Sequence, residues 1–265
     1  MQNARSTATL VALAVTLSIG VTGCRTRTPV PACSSADSGH SAASEDGQQD
    51  EVRVALAAAG RWVAEETVRV TTQEAGVAGQ GVMHAEARTG TMSLKFQKTD
   101  RMILVTVYED DVYFSMQNVP GISFGTSYRL PKSEVPAGSY LDVEPRDPGG
   151  MRRLIDAVVS VRRGDERQAS GRSVFAGAVD LMATPYADES LCREFGDKVK
   201  AVPFTAAVDE QGRLYEFVIE LRALATRLGD ARTAWSALGV PTNTRRPTSS
   251  QPAGDVPGLL RALEN

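Results

Sequence analysis

The feature that most constrains the fold of this 265-residue chain is a repeated alternation of polar and apolar residues. Residues 67–71 and 91–96 alternate with a period of two, which places successive side chains on opposite faces of a β-strand. Residues 102–116 alternate on both sides of the acidic turn 109–111 and predict a hairpin, and residues 204–221 predict a second one. Many strands with short links favour one large antiparallel sheet.

Helical spacing of apolar residues occurs in a few places between these strands. Residues 51–65, 151–159 and 188–202 each repeat apolar residues on one side of a helix, so three amphipathic helices are predicted. A few helices among many antiparallel strands are typical of an α+β fold in which the helices pack on one face of the sheet.

Glycine and proline interrupt the strand pattern in two regions. Gly76, Gly79 and Gly81 follow the first predicted strand without the strand-then-helix context of a nucleotide-binding loop, and they favour a flexible turn. Residues 118–149 contain five prolines and predict an irregular segment with one short strand at 128–130.

The N-terminus has a pattern of its own. Residues 8–21 are mostly apolar and follow Arg5, which suits a secretory signal and falls short of the roughly 20 residues that span a membrane. The next residues complete the sequence Val21-Thr22-Gly23-Cys24, which resembles the lipobox of bacterial lipoproteins. The resemblance implies cleavage before Cys24 and a diacylglyceryl group on its thiol, which anchors the protein on the extracytoplasmic face of the cell membrane. The alternative is a plain secretory signal or a hydrophobic helix.

Together these patterns divide the chain into four predicted segments. Residues 1–23 form a signal peptide, and residues 24–50, rich in Ser, Ala and Pro, form a disordered tether after the lipidated cysteine. Residues 51–245 form the folded domain, and residues 246–265 form a flexible tail whose apolar run is either a weak helix or disordered. The formal net charge is -3 and the sequence has no basic stripe, so nucleic acid is not expected as a partner.

Residues able to support chemistry are scarce. Three cysteines and two histidines are too few for a zinc site of the usual spacing. Cys33 and Cys192 either form a disulfide outside the cell or remain unpaired thiols. The chain has no phosphate-binding loop, and His84 is the single histidine of the predicted domain. The one Gly-x-Ser-x-Gly sequence of the chain, at residues 121–125, lies in the segment predicted to be irregular, without the strand-then-helix context of a nucleophile elbow. The acidic turn 109–111 is expected to be solvated rather than to bind a metal ion. Because no set of residues points to a catalytic or metal site, a protein without catalysis, metal or other cofactor is predicted.

Three elements together resemble actinobacterial lipoproteins of the LppX/LprG type and, more loosely, the LolA/LolB lipoprotein carriers. These elements are the lipobox with its polar tether, the strand TMSLKF followed by the hairpin VYEDDVYF, and the hairpin DEQGRLYEFVIEL. The resemblance covers residues 51–245. It implies a half-barrel of antiparallel strands with helices over its concave face, and a hydrophobic cavity that binds or carries lipids or lipoprotein acyl chains without catalysis.

The apolar residues of the alternating strands are the candidates for lining such a cavity, although the same residues would also fill a dry core. A dry core would favour a lipoprotein of the same fold that acts through its surface as a structural or interaction module, with protein partners unknown. The eight candidates are Val68, Val70, Leu94, Phe96, Val105, Val107, Val112 and Phe114.

Overall fold

The fold is described from a computed structural model of the chain. The described residues form an α+β fold with one open, almost wholly antiparallel sheet of twelve strands, which is not closed into a barrel, and four α-helices. The predicted fold class is therefore confirmed. The structure describes residues 45–264 except 75, 124, 165–172, 187–188 and 240–243.

The strands form two antiparallel meanders that share one sheet. The helices are α1 (Glu45–Glu65), α2 (Met151–Asp156), α3 (Glu189–Phe195) and α4 (Val256–Glu264). The strands are β1 (Thr67–Glu74), β2 (Val77–His84), β3 (Thr89–Phe96), β4 (Arg101–Tyr108), β5 (Asp111–Gln117), β6 (Ser127–Pro131), β7 (Val158–Arg163), β8 (Ser173–Val179), β9 (Val202–Val208), β10 (Leu214–Ile219), β11 (Ala231–Ala237) and β12 (Gln251–Pro252). Their order in the sheet is β12-β6-β5-β4-β3-β2-β1-β11-β10-β9-β8-β7, so β1 and β11 join the two meanders.

One face of this sheet, which we call the covered face, carries the apolar side of every long strand. Directly paired residues in an antiparallel sheet point to the same face. The pairs Val68–Met83, Met92–Val105 and Val105–Phe114 therefore lie on one face. All eight candidate residues belong to this face, and each is buried.

Helix α1 packs on the β7–β11 half of the sheet, where it contacts β7 and β10, and α2 packs against α1. The apolar stripe of α1 is buried, and its Trp62 Nε1 donates a hydrogen bond to the Leu214 carbonyl at 3.0 Å. A Cβ atom at Gly60 would lie 2.6 Å from Met151 Sδ and 2.8 Å from Ile155 Cδ1, so the two helices are in close contact there. This half has a helical layer packed directly on the sheet.

Irregular chain covers much of the other half. We call residues 132–150 the covering loop. Trp235 Nε1 donates to the Pro148 carbonyl at 2.8 Å, and a Cβ atom at Gly149 would lie 2.8 Å from Val70 Cγ1. Gly149 has a φ of 63°, a conformation that glycine adopts without strain. Tyr140 of the loop meets Phe96 edge to face, with ring centroids 4.9 Å apart.

Four strands, β2, β7, β11 and β12, have no counterpart among the strands that the sequence predicts. The flexible turn predicted at Gly79 and Gly81 is wrong, because both lie inside β2 at alternate positions that face the covering layer. The helix predicted over 151–159 ends at Asp156. Val158 is buried and Val159 exposed, so a period of two already applies there.

The predicted boundaries at both ends of the domain are also corrected. Helix α1 begins at Glu45, inside the predicted tether 24–50. Residues 246–265, predicted as a flexible tail with a weak helix as one alternative for its apolar run, contain β12, which pairs with β6, and the helix α4, which buries Val256 and Leu263. Arg101 Nη1 also donates to the Ala262 carbonyl at 2.9 Å. The amphipathic run has a partner surface, which is what an isolated short helix lacks.

Candidate functional site

A cavity of about 150 Å³ lies between the covered face and the covering loop. The floor is formed by β1, β2 and β3, and the covering loop, α2 and residues 185–186 complete the walls and roof. A groove of about 570 Å³ between α1 and β7 is larger, but polar and charged side chains dominate its lining. The smaller cavity is therefore the better candidate for an apolar ligand. The floor residues are Thr72, Glu74, Val77, Met83, Met92 and Leu94.

The floor combines glycines with long, flexible side chains. A Cβ atom at Gly79 would lie 2.6 Å from both Leu94 Cδ2 and Met92 Cε, and one at Gly81 would lie 2.8 Å from Met92 Sδ. The side chains of Leu94 and Met92 thus occupy the space that side chains at positions 79 and 81 would otherwise take. Three of the four β2–β3 pairs on this face contain one glycine and one long side chain, namely Gly79–Leu94, Gly81–Met92 and Gly90–Met83.

The roof is held together by charged groups. Arg153 of α2 lies between Asp147, whose Oδ2 is 3.2 Å from its Nε, and Asp142, whose Oδ2 is 3.7 Å from its Nη1. Asp147 is buried and also accepts a hydrogen bond from the Arg152 backbone N–H at 2.6 Å. The covering loop is thereby fixed to the start of α2, since a buried carboxylate needs such partners.

Glu144 extends this network at the edge of the roof. Its carboxylate accepts from Lys132 Nζ at 2.5 Å and from the Arg146 backbone N–H at 3.0 Å. Partial burial acts to raise the pKa of Glu144. The hydrogen bonds from Lys132 and Arg146 and their positive charges outweigh it, so the pKa lies below its ordinary value. Glu144 is therefore ionised at neutral pH.

The wall of the cavity contains neutral polar groups. The Tyr186 hydroxyl contacts Thr233 Oγ1 of β11. Burial raises the pKa of Tyr186 well above its usual range. The Thr233 contact opposes this rise, and the charge of Glu74 adds to it. Ser139 also lines the cavity, and its buried Oγ has no hydrogen-bond partner among the described residues. Such an atom is costly unless water or a ligand satisfies it.

Of the eight predicted lining residues, Leu94 alone lines this cavity. The other seven are buried elsewhere on the covered face. Phe114 stacks on Tyr128 at 5.2 Å, and Phe96 is covered by Tyr140. Pattern analysis therefore identified the correct face but not the position of the cavity on it.

Sequence reasoning missed the glycine floor and the acidic roof. The available signal for the floor was the spacing of Val77, Gly79, Gly81 and Met83, which continues the period of two with glycine in apolar positions. The roof gave no comparable signal, since its carboxylates lie in irregular chain that only the tertiary fold brings over β1–β3.

Of the three cysteines, Cys192 is the one that lies within the described residues. Cys192 in α3 is disulfide-bonded. Cys33 and the predicted lipidation residue Cys24 lie outside the described residues. No helix within the described ranges is long and apolar enough to cross a membrane.

The acidic turn between β4 and β5 pairs with arginines. Asp110 pairs with Arg88 at 2.5 Å, and Asp111 accepts from Arg129 Nε at 2.9 Å. Arg246 Nη2 lies 3.2 Å from Asp111 Oδ2 and connects the C-terminal chain to the sheet. Across the described part of the chain, no group of three or more His, Cys, Asp or Glu residues is arranged to hold a metal ion.

Searches against protein-family models and against curated proteins found no match to this chain.

Proposed function

We propose that this protein is a membrane-anchored lipoprotein of the cell envelope that binds or carries acyl chains, without catalysis. The observation that carries the proposal is the cavity between the apolar covered face and an irregular covering loop. Its floor offers hydrocarbon contacts, and its roof offers polar groups near one end. That combination suits an amphiphile, which needs an apolar surface and a polar opening.

The cavity must widen for this function. Ligand sites for molecules of drug size have volumes of about 300–1,000 Å³, and this cavity has about 150 Å³. Trp235 to Pro148 and Tyr140 to Phe96 join the covering loop to the sheet, and Arg153 joins it to α2. Widening requires this irregular cover to release some of these contacts, a local opening that needs no unfolding of the sheet.

The disulfide of Cys192 supports an extracytoplasmic location, since such bonds persist mainly in oxidising compartments. If Cys24 carries the lipid anchor, Cys33 is the remaining partner within the chain. A Cys24→Ala chain should then leave the membrane fraction, and non-reducing peptide mapping should recover Cys33 bonded to Cys192. Complete retention of Cys24→Ala in membranes would contradict the lipid anchor.

A second candidate is a lipoprotein that acts through its surface as a structural or interaction module. The small volume of the cavity and the tight burial of the seven other candidate residues favour this alternative.

Lipid extraction separates the two functions. The full chain is purified from a host with membranes, and an organic extract of the folded protein is examined by mass spectrometry. The carrier function predicts about one amphiphile per chain, retained by Cys24→Ala and released when the protein is unfolded in urea. An extract without stoichiometric lipid from either form would favour the surface module.

A further inference from the structure

The glycines on the cavity floor have a specific consequence for ligand binding. Gly79 and Gly81 of β2 and Gly90 of β3 all lie on the covered face, where the other strands carry large apolar side chains. Three missing side chains on two adjacent strands leave a depression in the sheet surface, which we call the glycine trough.

The trough is filled by side chains that move easily. Met92 and Met83 lie over Gly81 and Gly90. Methionine is unbranched, has three rotatable side-chain bonds and adapts to irregular space. Displacing these two side chains from the glycines would join the trough to the cavity without moving a strand.

The groups around the cavity limit which polar head can lie at the roof. Glu74, Asp142, Glu144 and Asp147 line the cavity with a single cation, Arg153. Lys132 and Arg146 add two positive charges beside Glu144, so the three roof carboxylates Asp142, Glu144 and Asp147 face three cations. A charged head of either sign thus finds no excess of opposite charge at the roof, whereas the buried, unpartnered Ser139 Oγ offers a hydrogen bond to an uncharged hydroxyl head.

We propose that the glycine trough is the acyl-chain site of the protein, occupied by Met83 and Met92 when empty, and that the ligand is an amphiphile with an uncharged hydroxyl head, which lies at the charge-balanced roof against Ser139 Oγ. This inference rests on the proposed lipid-binding function and specifies its site and its ligand class. The hydrocarbon chain replaces the two methionine side chains, and the head remains under the covering loop.

Three substitutions in the full Cys24→Ala chain, which has no lipid of its own to compete, test the trough. Gly79→Ala adds a methyl group that would meet Thr72 Oγ1 and would lie 2.6 Å from Leu94 Cδ2 and Met92 Cε, so these side chains must shift, and urea unfolding of the variant checks that the fold is retained. Gly81→Ala is unsuitable, because its Cβ would meet the Thr91 carbonyl oxygen. Met92→Ala removes part of the filling. Met116→Ala is the matched control, because Met116 is buried on the same face but does not line the cavity.

Affinity is measured by displacement of the neutral dye Nile red with decanol. Gly79→Ala should bind decanol about tenfold more weakly, equivalent to about 1.4 kcal/mol. Met92→Ala should bind it at least as tightly as the parent, and Met116→Ala should match the parent. If the parent binds decanol and neither Gly79→Ala nor Met92→Ala differs in decanol affinity from Met116→Ala, the trough is not the acyl-chain site, although the proposed lipid binding stands. If no form binds decanol or Nile red, the proposed function fails as well.

The head preference is tested with ligands of equal chain length. Decanol should bind the parent at least about tenfold more tightly than decanoate or decylammonium at neutral pH, because the positive and negative side chains at the roof are balanced. Equal or tighter binding of decanoate or decylammonium would overturn the preference for an uncharged head. Ser139→Ala should weaken the binding of decanol and narrow the difference, and an unchanged ratio in that variant would place the selectivity elsewhere.

Discussion

The two halves of the covered face are built from similar strands but lie under different layers. Over β7–β11, α1 packs directly on the sheet and buries its apolar stripe. Over β1–β3, an irregular loop lies above glycines and methionines, and a cavity remains. Under the proposed function, the helical half stabilises the fold and the loop-covered half changes to admit the ligand.

The largest expected effect lies in the helical half. Leu56 of α1 is fully buried, so Leu56→Ala should lower the free energy of unfolding by about 2–5 kcal/mol. Val54→Ala, on the exposed side of the same helix, should change it by no more than about 0.5 kcal/mol. Urea unfolding measures both. A loss of less than about 1 kcal/mol for Leu56→Ala would remove the contrast between the halves.

The same substitution at two methionines sharpens the comparison. Met116 is buried among close-packed neighbours, and Met116→Ala should cost about 2–5 kcal/mol of unfolding free energy. Met92 borders an existing cavity, so truncating its side chain removes fewer contacts with neighbouring atoms. Met92→Ala should therefore lower the free energy of unfolding by about 2 kcal/mol or less. An equal or larger cost at Met92 would mean that the floor is packed as tightly as the rest of the core.

The smallest effect concerns pH and the covering loop. Because the pKa of Glu144 is lowered in the fold, its contribution to stability is complete above the ordinary glutamate pKa of about 4.3 and is lost as pH falls through the lowered value. The stability difference between the parent and Glu144→Gln should therefore be constant near neutral pH and shrink in acid. Urea unfolding across this range measures it, and a difference that grows in acid would contradict the assignment.

Sequence reasoning located the strands whose own side chains alternate clearly. In β4 and β5, residues such as Val105, Val107 and Phe114 supply an apolar member at every second position, and the hairpin follows. In β2 the same positions hold Gly79 and Gly81, so the strand still alternates between the two faces of the sheet although its sequence shows no apolar residue there. The glycines that shape the floor of the cavity are therefore also the reason why β2 could not be predicted from hydrophobic alternation.

The roof could not be predicted for a different reason. Asp142 and Asp147 lie in chain without helical or strand periodicity, and their partner Arg153 belongs to α2. Their position over β1–β3 depends on contacts such as Trp235 to Pro148, which join residues 87 positions apart. Local patterns carry no information about such a distant contact.

The most direct test of the account is nuclear magnetic resonance of the methionine methyl groups. The chain has seven methionines, of which Met83 and Met92 lie on the trough and Met102 and Met116 lie outside the cavity. Decanol is titrated into the full Cys24→Ala chain with ¹³C-labelled methionine methyl groups. The account predicts that the Met83 and Met92 signals shift most and that the Met102 and Met116 signals stay nearly unchanged. Saturable binding with its largest shifts at Met102 or Met116, or with no shift at Met83 and Met92, would contradict it.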